Sequence, residues 1–322
     1  MAPPAKASGS SAVDRQAMTN ALSIDVEDWF HAELVRSRIR QDRPERRVEW
    51  AIEPILLLLQ RYDVRATFFV VGDVMRHHPG LVRRIRRAGH EIGCHGWSHR
   101  PLWSLAPERF AWELDEFDRD ARDVVPTEEI VGFRAPSFSL DERTAWALDI
   151  LREHGYRYDT SIFPLRTPLY GVKSAPARPY YPTRDQPTVD HRDGSQSDGS
   201  THDLVEFPMT VYDYAGFRLP ISGGFYLRAL PLSMTSYLLA RVNARGNPFV
   251  IYLHPWEADR ETPRIHGLSV GERFVTYYNA GSVLPKLEAL LQRFHLAPLR
   301  DVLGIRQGRA AISPPIVVGE PG

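Results

Sequence analysis

The sequence predicts an α/β fold in which parallel strands form a barrel and helices pack outside it. Short runs rich in β-branched and aromatic residues alternate with amphipathic segments of about 10–15 residues, as expected for strand–helix–strand units. Seven such units suit a barrel better than an open sheet. The pattern G-x-G-x-x-G is missing after the first strand, which disfavours a nucleotide-binding sheet.

Each predicted element rests on a local pattern. Apolar runs predict strands at 21–27, 66–71, 90–95, 131–136, 156–161, 204–209 and 249–254. Amphipathic spacing predicts helices at 48–61, 79–89, 106–124, 141–155, 230–246 and 282–294. Pro79 in a first turn, Asp141 as an N-cap, and Gly89 and Gly155 as stops mark the ends of two of these helices.

Composition divides the rest of the chain. Residues 1–19 are small and polar, which predicts a disordered leader before a barrel that spans 20–304. The stretch 166–203 is rich in proline and polar residues and is expected to form a surface excursion, after which a C-terminal segment begins at about 204. Residues 305–322 are rich in Pro and Gly and predict a flexible tail.

The composition disfavours several classes of function. The 322 residues include 40 Lys+Arg and 40 Asp+Glu, whereas a protein devoted to nucleic acid needs a basic excess. The single cysteine, Cys94, excludes an intramolecular disulfide and a Cys-cluster zinc site. No run approaches about 18 apolar residues, so no transmembrane segment is expected. The start of the chain lacks the apolar run of a secretory signal, and we expect a cytoplasmic protein.

Acidic side chains cluster where the first predicted strand ends. Asp25, Glu27 and Asp28 follow an apolar run, and the two-residue period of a strand places Asp25 and Glu27 on the same side. Catalytic residues of parallel barrels gather at this end of the strands. Carboxylates there are costly to desolvate unless they bind something, but a solvated loop explains them about equally well.

Two histidines follow the third strand. His95 and His99 are four residues apart, so both can face one point if the chain turns helically. With a carboxylate from another strand end, they form the ligand set of a catalytic metal that keeps positions open for water. Three more polar residues occupy strand ends: Arg134 after the fourth strand, Asp159 in the fifth and His254 after the seventh.

Taken in order, these motifs resemble the polysaccharide deacetylases with a NodB-homology domain, carbohydrate esterase family four. The resemblance covers residues 20–295 and implies a distorted (β/α)7 barrel. Five motifs match in sequence order: Asp25–Asp28, His95–His99, Arg134–Pro136, Asp159–Phe163 and Tyr252–His254. Gly96, Phe163 and Tyr252 depart from the residues usual in the family, and these departures concern the substrate pocket rather than the metal ligands.

The resemblance implies removal of N-acetyl groups from amino sugars with a divalent metal, zinc or a similar ion. The matching ligands are Glu27, His95 and His99, with Asp28 as the competing assignment to Glu27. The segments SIDVEDWFH and YLHPWE are most similar to deacetylases of bacterial exopolysaccharide loci and the exosortase system. This similarity implies an exopolysaccharide or its precursor as the N-acetylated saccharide substrate, and a membrane-associated polysaccharide assembly system as a partner.

The same resemblance assigns the other roles. Asp25 is the base, kept ionised by Arg134, and His254 protonates the leaving amine while Asp159 orients it. The backbone N–H near Ser137 contributes to holding the oxyanion. Substrate contacts are expected from Ser137, Phe138, Trp97, Tyr252, Gly223 and Gly224. For the glycine pair, a turn before a helix is an equally good explanation.

Two other functions stay open at this stage. One is a related amidohydrolase that acts on a small linear or cyclic amide, as allantoinase-like members do. The other is a catalytically inactive homologue that binds sugar. The presence of both Asp25 and His254 argues against the inactive homologue, because a protein that only binds sugar needs neither.

Overall fold

The computed structural model describes residues 18–39, 44–191, 204–306 and 308–309. Ten strands lie in this part of the chain: β1 Thr19–Val26, β2 Thr67–Val70, β3 Glu91–Cys94, β4 Gly132–Phe133, β5 Tyr158–Asp159, β6 Val205–Glu206, β7 Val211–Tyr214, β8 Phe217–Pro220, β9 Val250–Leu253 and β10 His295–Ala297. The seven predicted strands are all present. The hairpin β7–β8 and the three-residue β10 were not predicted from the sequence.

Twelve α-helices accompany the strands in the described residues: α1 Glu33–Arg36, α2 Val48–Arg61, α3 Gly72–His77, α4 Pro79–Arg87, α5 Pro107–Ala121, α6 Ala147–Glu153, α7 Gly224–Ala229, α8 Leu232–Ala244, α9 Pro255–Ala258, α10 Val270–Tyr277, α11 Val283–Arg293 and α12 Leu299–Val302. All six predicted helices occur. The six that were not predicted have between four and eight residues, which is too short for helical periodicity to stand out. No helix in the described part is both long and apolar enough to cross a bilayer.

The main sheet confirms the predicted parallel barrel. Its strands follow the order β10-β1-β2-β3-β4-β5-β6, β9 also pairs with β1, and every pairing is parallel. β6 and β9 do not pair among the described strands. Beyond β6, the Thr210 side chain contacts β9 instead: Val250 N–H donates to the Thr210 hydroxyl over 2.8 Å, and that hydroxyl donates to Val250 C=O over 3.1 Å. The barrel is therefore distorted on this side.

Alternation along β1 produces two apolar layers. Leu22, Ile24 and Val26 pack into the large core between the sheet and the helices. Ala21, which lies two residues before Ser23 and four before Asp25, belongs to a smaller core inside the barrel. Because side chains of a strand alternate between faces, Asp25 shares the inner face with Ala21. The fold thus brings this carboxylate into the barrel at the carboxyl end of the strand.

The ends of the chain differ partly from expectation. The predicted leader lies outside the described residues except for Met18 and Thr19, and Thr19 already begins β1. The tail predicted to be flexible is fixed at Arg309, whose buried guanidinium lies 2.6 Å from Asp118 and also donates to Thr127 C=O. Residues 310–322, and 192–203 of the predicted excursion, lie outside the described part.

Glu91 is a buried acid at the amino end of β3, the strand whose carboxyl end is followed by His95. Its carboxyl group receives hydrogen bonds from Thr67 Oγ1 at 2.6 Å, Tyr158 OH at 2.9 Å and Arg300 N–H at 3.2 Å. Burial outweighs these hydrogen bonds and raises the pKa of Glu91 from 4.5 to about 7. The folded protein therefore holds this proton more tightly than the unfolded chain does.

This raised pKa predicts a pH-dependent loss of stability. Because the folded-state pKa lies above the unfolded one, stability is greatest below 4.5 and falls as the pH rises through about 7. Glu91→Gln removes this titration. The free energy of unfolding of the variant, relative to that of the wild type, should therefore rise by up to about 3 kcal/mol from pH 5 to pH 8. Urea unfolding at both pH values measures it. Glu108→Gln, at an exposed position of α5, is the control, and equal pH slopes for wild type and Glu91→Gln would contradict the prediction.

Candidate metal centre and active site

The end of β1 separates its three acidic residues. Asp25 and Glu27 are buried and face the same region, as the two-residue strand period predicts. The Asp28 carboxylate instead accepts hydrogen bonds from Arg47 N–H at 3.0 Å and Val48 N–H at 3.4 Å, where α2 begins. Asp28 therefore serves as a helix cap, and Glu27 is the carboxylate that faces the two histidines.

His95 and His99 converge because the chain turns sharply after β3. Gly96 has φ +70° and His99 has φ +55°, so the backbone is left-handed at both positions. The first favours glycine, which accounts for Gly96 where the family resemblance leads one to expect a hydroxyl residue. His95 Nδ1 lies 2.8 Å from Arg134 C=O, and His99 Nδ1 lies 3.0 Å from His31 C=O. Each ring thus donates through Nδ1 and keeps an Nε2 lone pair for a ligand.

Glu27, His95 and His99 have the geometry of a metal-binding group. Their ligand atoms all lie within 4.8 Å of one another, and the three residues are buried. Glu27 Oε2 lies 2.5 Å from His99 Nε2, yet no donor among the described residues forms a hydrogen bond with it. Because the Nε2 lone pair faces the carboxylate, two electron-rich atoms meet without a proton between them. A cation fits this arrangement, and His₂-carboxylate sets suit zinc and similar ions.

Ionisation states in this group favour a metal as well. Burial lowers the pKa of His95 to about 4, so its imidazole is neutral near pH 7, the form that binds metals. Burial alone would raise the pKa of Glu27, but the neighbouring His99, His254 and His95 hold it well below its usual range. The metal-binding group therefore contains an ionised carboxylate in Glu27 and a neutral imidazole in His95.

Asp25 is held by a fully buried arginine. Arg134 Nη1 donates to Asp25 Oδ1 over 2.5 Å and to Ser23 Oγ over 2.9 Å, and its Nε donates to Thr160 C=O over 3.3 Å. Both Arg134 and Asp25 are buried, so the contact is a charge-assisted hydrogen bond shielded from water. The other carboxylate oxygen of Asp25 lies 3.9 Å from His95 Nε2 and 3.8 Å from His254 Nε2. One oxygen is thus held while the other faces the site.

His254 faces both Asp25 and Glu27, with its Nε2 3.8 Å from an oxygen of each, and it is oriented by Glu257. His254 Nδ1 lies 2.9 Å from Glu257 Oε2, and the backbone N–H of His254 donates to the same oxygen over 3.0 Å. Burial lowers the pKa of His254, but the hydrogen bond and charge of Glu257 outweigh it and raise the value to about 9. Trp256 stacks on the His254 ring, with centroids 5.0 Å apart, and its Nε1 donates to Glu27 Oε1 over 2.9 Å.

The prediction that Asp159 orients His254 is wrong in this structure. Asp159 is buried beside Glu206 on the neighbouring strand, and the Ser161 hydroxyl donates to it. Burial raises the pKa of Asp159 to about 6 and raises that of Glu206 well above its usual range, so the pair holds a proton near neutral pH. Sequence reasoning missed Glu257, although His254-Pro255-x-Glu257 has the spacing of a capping box with proline at the first helical position.

Glu257 is in turn fixed by Arg228 of α7. The Nε of Arg228 donates to Glu257 Oε1 over 2.7 Å, and both residues are only 1% exposed. The remaining nitrogens of Arg228 donate to Val275 C=O, over 2.7 Å, and to Tyr278 C=O. A chain of hydrogen bonds therefore leads from α10 through Arg228 and Glu257 to His254.

A cavity of about 490 Å³ opens onto these groups. Four of the six predicted substrate contacts line it: Ser137, Phe138, Tyr252 and Gly224. Trp97 does not line it, because its ring packs against Trp112 and its Nε1 donates to Asp120. Gly223 does not line it either: it forms a parallel bridge with Tyr252, and an added Cβ would lie 2.1 Å from Tyr252 O. For Gly223, the structural explanation is the correct one.

Known proteins match both halves of the chain. Residues 46–158 match the family described as polysaccharide deacetylase, and residues 160–304 match a domain of unknown function, DUF3473. An uncharacterized 30.6 kDa protein of Geobacillus stearothermophilus is 35% identical over 103 residues, which cover 32% of this chain and 38% of that protein. The peptidoglycan deacetylase of Helicobacter pylori is 31% identical over 117 residues, covering 35% and 38%. The matched regions thus span well under half of these relatives.

A solved structure shares the fold. A candidate polysaccharide deacetylase from Mycobacterium smegmatis superimposes with a TM-score of 0.54 at 19% identity, over 97% of this chain and 99% of that one. The parallel barrel with polar groups at the carboxyl ends of its strands is the arrangement typical of barrel enzymes. Within that class, the chain contains a polysaccharide deacetylase domain. The family prediction is therefore confirmed.

Proposed function

We propose that this protein is a metal-dependent hydrolase that removes N-acetyl groups from amino sugars of a bacterial exopolysaccharide or its precursor. One observation carries the proposal: Glu27, His95 and His99 converge, with Asp25 and His254 each 3.8 Å or slightly more from members of that group. A carboxylate and a histidine that both border a metal-binding group are suited to one base and one acid in amide hydrolysis.

The ligand set favours zinc. Two imidazole nitrogens and one carboxylate oxygen from Glu27, His95 and His99 leave positions for water and substrate. A zinc ion bound there supplies Lewis acidity, which lowers the pKa of water and polarises an amide carbonyl. The carbonyl groups of Arg134 and His31 fix the two rings through their Nδ1 atoms.

The remaining residues handle the protons. Asp25, with one oxygen held by Arg134, takes a proton from the attacking water through its other oxygen. His254, kept protonated by Glu257, gives a proton to the amine that leaves. Ser137, in the left-handed conformation with φ +57°, lines the cavity where its backbone N–H can face the carbonyl oxygen that gains negative charge. Acetate and a free amino sugar are the products.

The test combines metal content with acetate release. Purified protein should contain about one zinc or other divalent ion per chain by mass spectrometry, and the metal-loaded protein should release acetate from N-acetylhexosamine oligomers. Metal without acetate release from any N-acetylated sugar, but with hydrolysis of allantoin or another small amide, would replace this proposal with the amidohydrolase. Absence of both metal and hydrolysis would indicate a sugar-binding homologue.

A further inference from the structure

The cavity next to the catalytic groups contains two chemically different parts. Beside the metal ligands, it is lined by the polar side chains described above and by Ser137. Elsewhere, apolar side chains from α1, α7, α10 and the segment before α10 contribute to its lining, together with the carboxylates of Glu33 and Glu272, and we call these apolar side chains the α10 wall. This wall consists of the side chains of Leu34, Val35, Phe225, Ile265, Val275 and Tyr277. Arg38, just after α1, lies 4.0 Å from Glu272 of α10, so α1 and α10, which both contribute to the wall, are neighbours.

Hydroxyl groups along the α10 wall are already engaged. Thr262 Oγ1 donates to Trp256 C=O over 2.9 Å, Thr276 Oγ1 donates to Glu272 C=O over 2.7 Å, and Tyr277 OH donates to Pro263 C=O over 3.0 Å. A sugar hydroxyl buried against this surface loses water and gains none of these three groups as a donor, which is unfavourable unless it reaches the carboxylate of Glu33 or Glu272. A hydrocarbon chain gains from burial at the same place.

The apolar surface continues from the cavity to the outside of the molecule. The Phe225 ring lies 5.6 Å from the ring of Phe274 and 6.4 Å from that of Tyr278. Phe274 is 50% exposed, Tyr278 is 42% exposed, and Val270, one turn earlier on α10, is 88% exposed. Positions 270 and 274 are four residues apart and share one face of α10, and Tyr278 follows directly after the helix. A chain longer than the cavity can follow this face outward.

We infer that the substrate is an amphiphile, an N-acetylated sugar joined to a hydrocarbon chain, and that the chain lies against the α10 wall. This inference rests on the proposed function, because the catalytic groups place the sugar. A lipid-linked saccharide has this chemistry, whereas a free polysaccharide presents further sugar units to the same wall.

Matched glycosides test the inference. The octyl glycoside of N-acetylglucosamine, used below its critical micelle concentration, should show a kcat/KM roughly 10- to 100-fold above that of the methyl glycoside, because several methylene groups leave water. An N-acetylated disaccharide tests the alternative that the α10 wall binds a further sugar unit. An octyl-to-methyl ratio near one, or a gain for the disaccharide that equals the gain for the octyl glycoside, overturns the inference.

Substitutions in the α10 wall test whether the octyl chain binds there. Val275→Asn and Ile265→Asn place an amide in the α10 wall and should each bring the octyl-to-methyl ratio towards one. Tyr237→Ser, at a position on α8 that is 60% exposed and outside the cavity lining, is the control and should keep the wild-type ratio. A wild-type ratio in both wall variants would show that the chain binds elsewhere and would overturn the inference.

Calorimetric binding measurements distinguish a failure of the proposed function from a failure of the inference about the hydrocarbon chain. Octyl glucoside, which has no acetyl group, should bind the wild-type protein in calorimetry, and methyl glucoside should bind at least about ten-fold more weakly. If no N-acetylated glycoside releases acetate, the proposed function fails, and calorimetry still decides whether the α10 wall binds a hydrocarbon chain. If acetate is released but octyl glucoside binds no better than methyl glucoside, only the inference fails.

Discussion

Asp25→Asn should lower kcat for acetate release by about 10²- to 10⁴-fold, the range typical of a lost general base. Asparagine has the same shape but cannot take a proton from water. The variant should still bind metal, because the metal-binding group consists of Glu27, His95 and His99. Steady-state kinetics together with metal content by mass spectrometry measure both effects, and full activity in the metal-loaded variant would remove Asp25 from the role of base.

A matched control for Asp25→Asn exists three residues along the chain. Asp28→Asn changes the neighbouring carboxylate, which caps α2 through Arg47 and Val48 N–H. An amide oxygen can still accept one of those bonds, so this variant should lose some thermal stability and keep both its metal and its activity. Loss of metal from Asp28→Asn would instead restore Asp28 as the ligand.

Burial adds a second consequence to Asp25→Asn. Arg134 is 0% exposed, and Asp25 is its ion-pair partner among the described residues. Removing one partner of a buried ion pair costs about 3–5 kcal/mol. Thermal melting should therefore accompany the kinetics, and rates should be compared at a temperature where the variant is fully folded.

Local patterns were sufficient to predict much of the site. Asp25 and Glu27 were placed on one side by strand alternation, and His95 and His99 were paired by their spacing after β3. These inferences succeed because parallel strands bring their carboxyl ends to one edge of the barrel. The family resemblance added Arg134 as the partner of Asp25, and the structure brings those two side chains into contact.

Contacts between distant segments could not be predicted in the same way. Arg228 reaches Glu257 across 29 positions, and no periodic pattern links a buried arginine to a particular buried carboxylate. α9 has four residues, so its capping interaction left only a weak signal at His254 and Glu257. The short strand β10 was missed for the same reason, since three residues show no reliable alternation.

The partner of His254 is Glu257 and not Asp159, and this changes which half of the chain positions the proposed acid. Asp159 belongs to β5 of the barrel, whereas Glu257 depends on Arg228 in α7, and Arg228 depends on carbonyls of α10 and the residue after it. These elements lie in the region that matches the domain of unknown function, residues 160–304. That region therefore positions the proposed acid and also lines the cavity.

Glu257→Gln should lower kcat by about 10- to 100-fold, as is typical when the partner that orients a histidine is removed. The amide no longer provides a negative charge for His254 Nδ1–H, so the protonated ring loses the group that stabilises it. Arg228, 1% exposed, loses its counter-charge, and thermal stability should fall by about 3–5 kcal/mol. Kinetics at a temperature where the variant is folded, with melting curves alongside, measure the two effects.

Two further readouts distinguish positioning from a purely structural role. KM and metal content should stay near the wild-type values, because Glu257 is not among the three metal-binding residues. Asp159→Asn provides the sharpest comparison, since the family resemblance assigns the orienting role to Asp159 and the geometry assigns it to Glu257. The loss of kcat should be larger for Glu257→Gln than for Asp159→Asn. The reverse order would mean that His254 takes its orientation from β5 during turnover, and that the contact between His254 and Glu257 only caps α9.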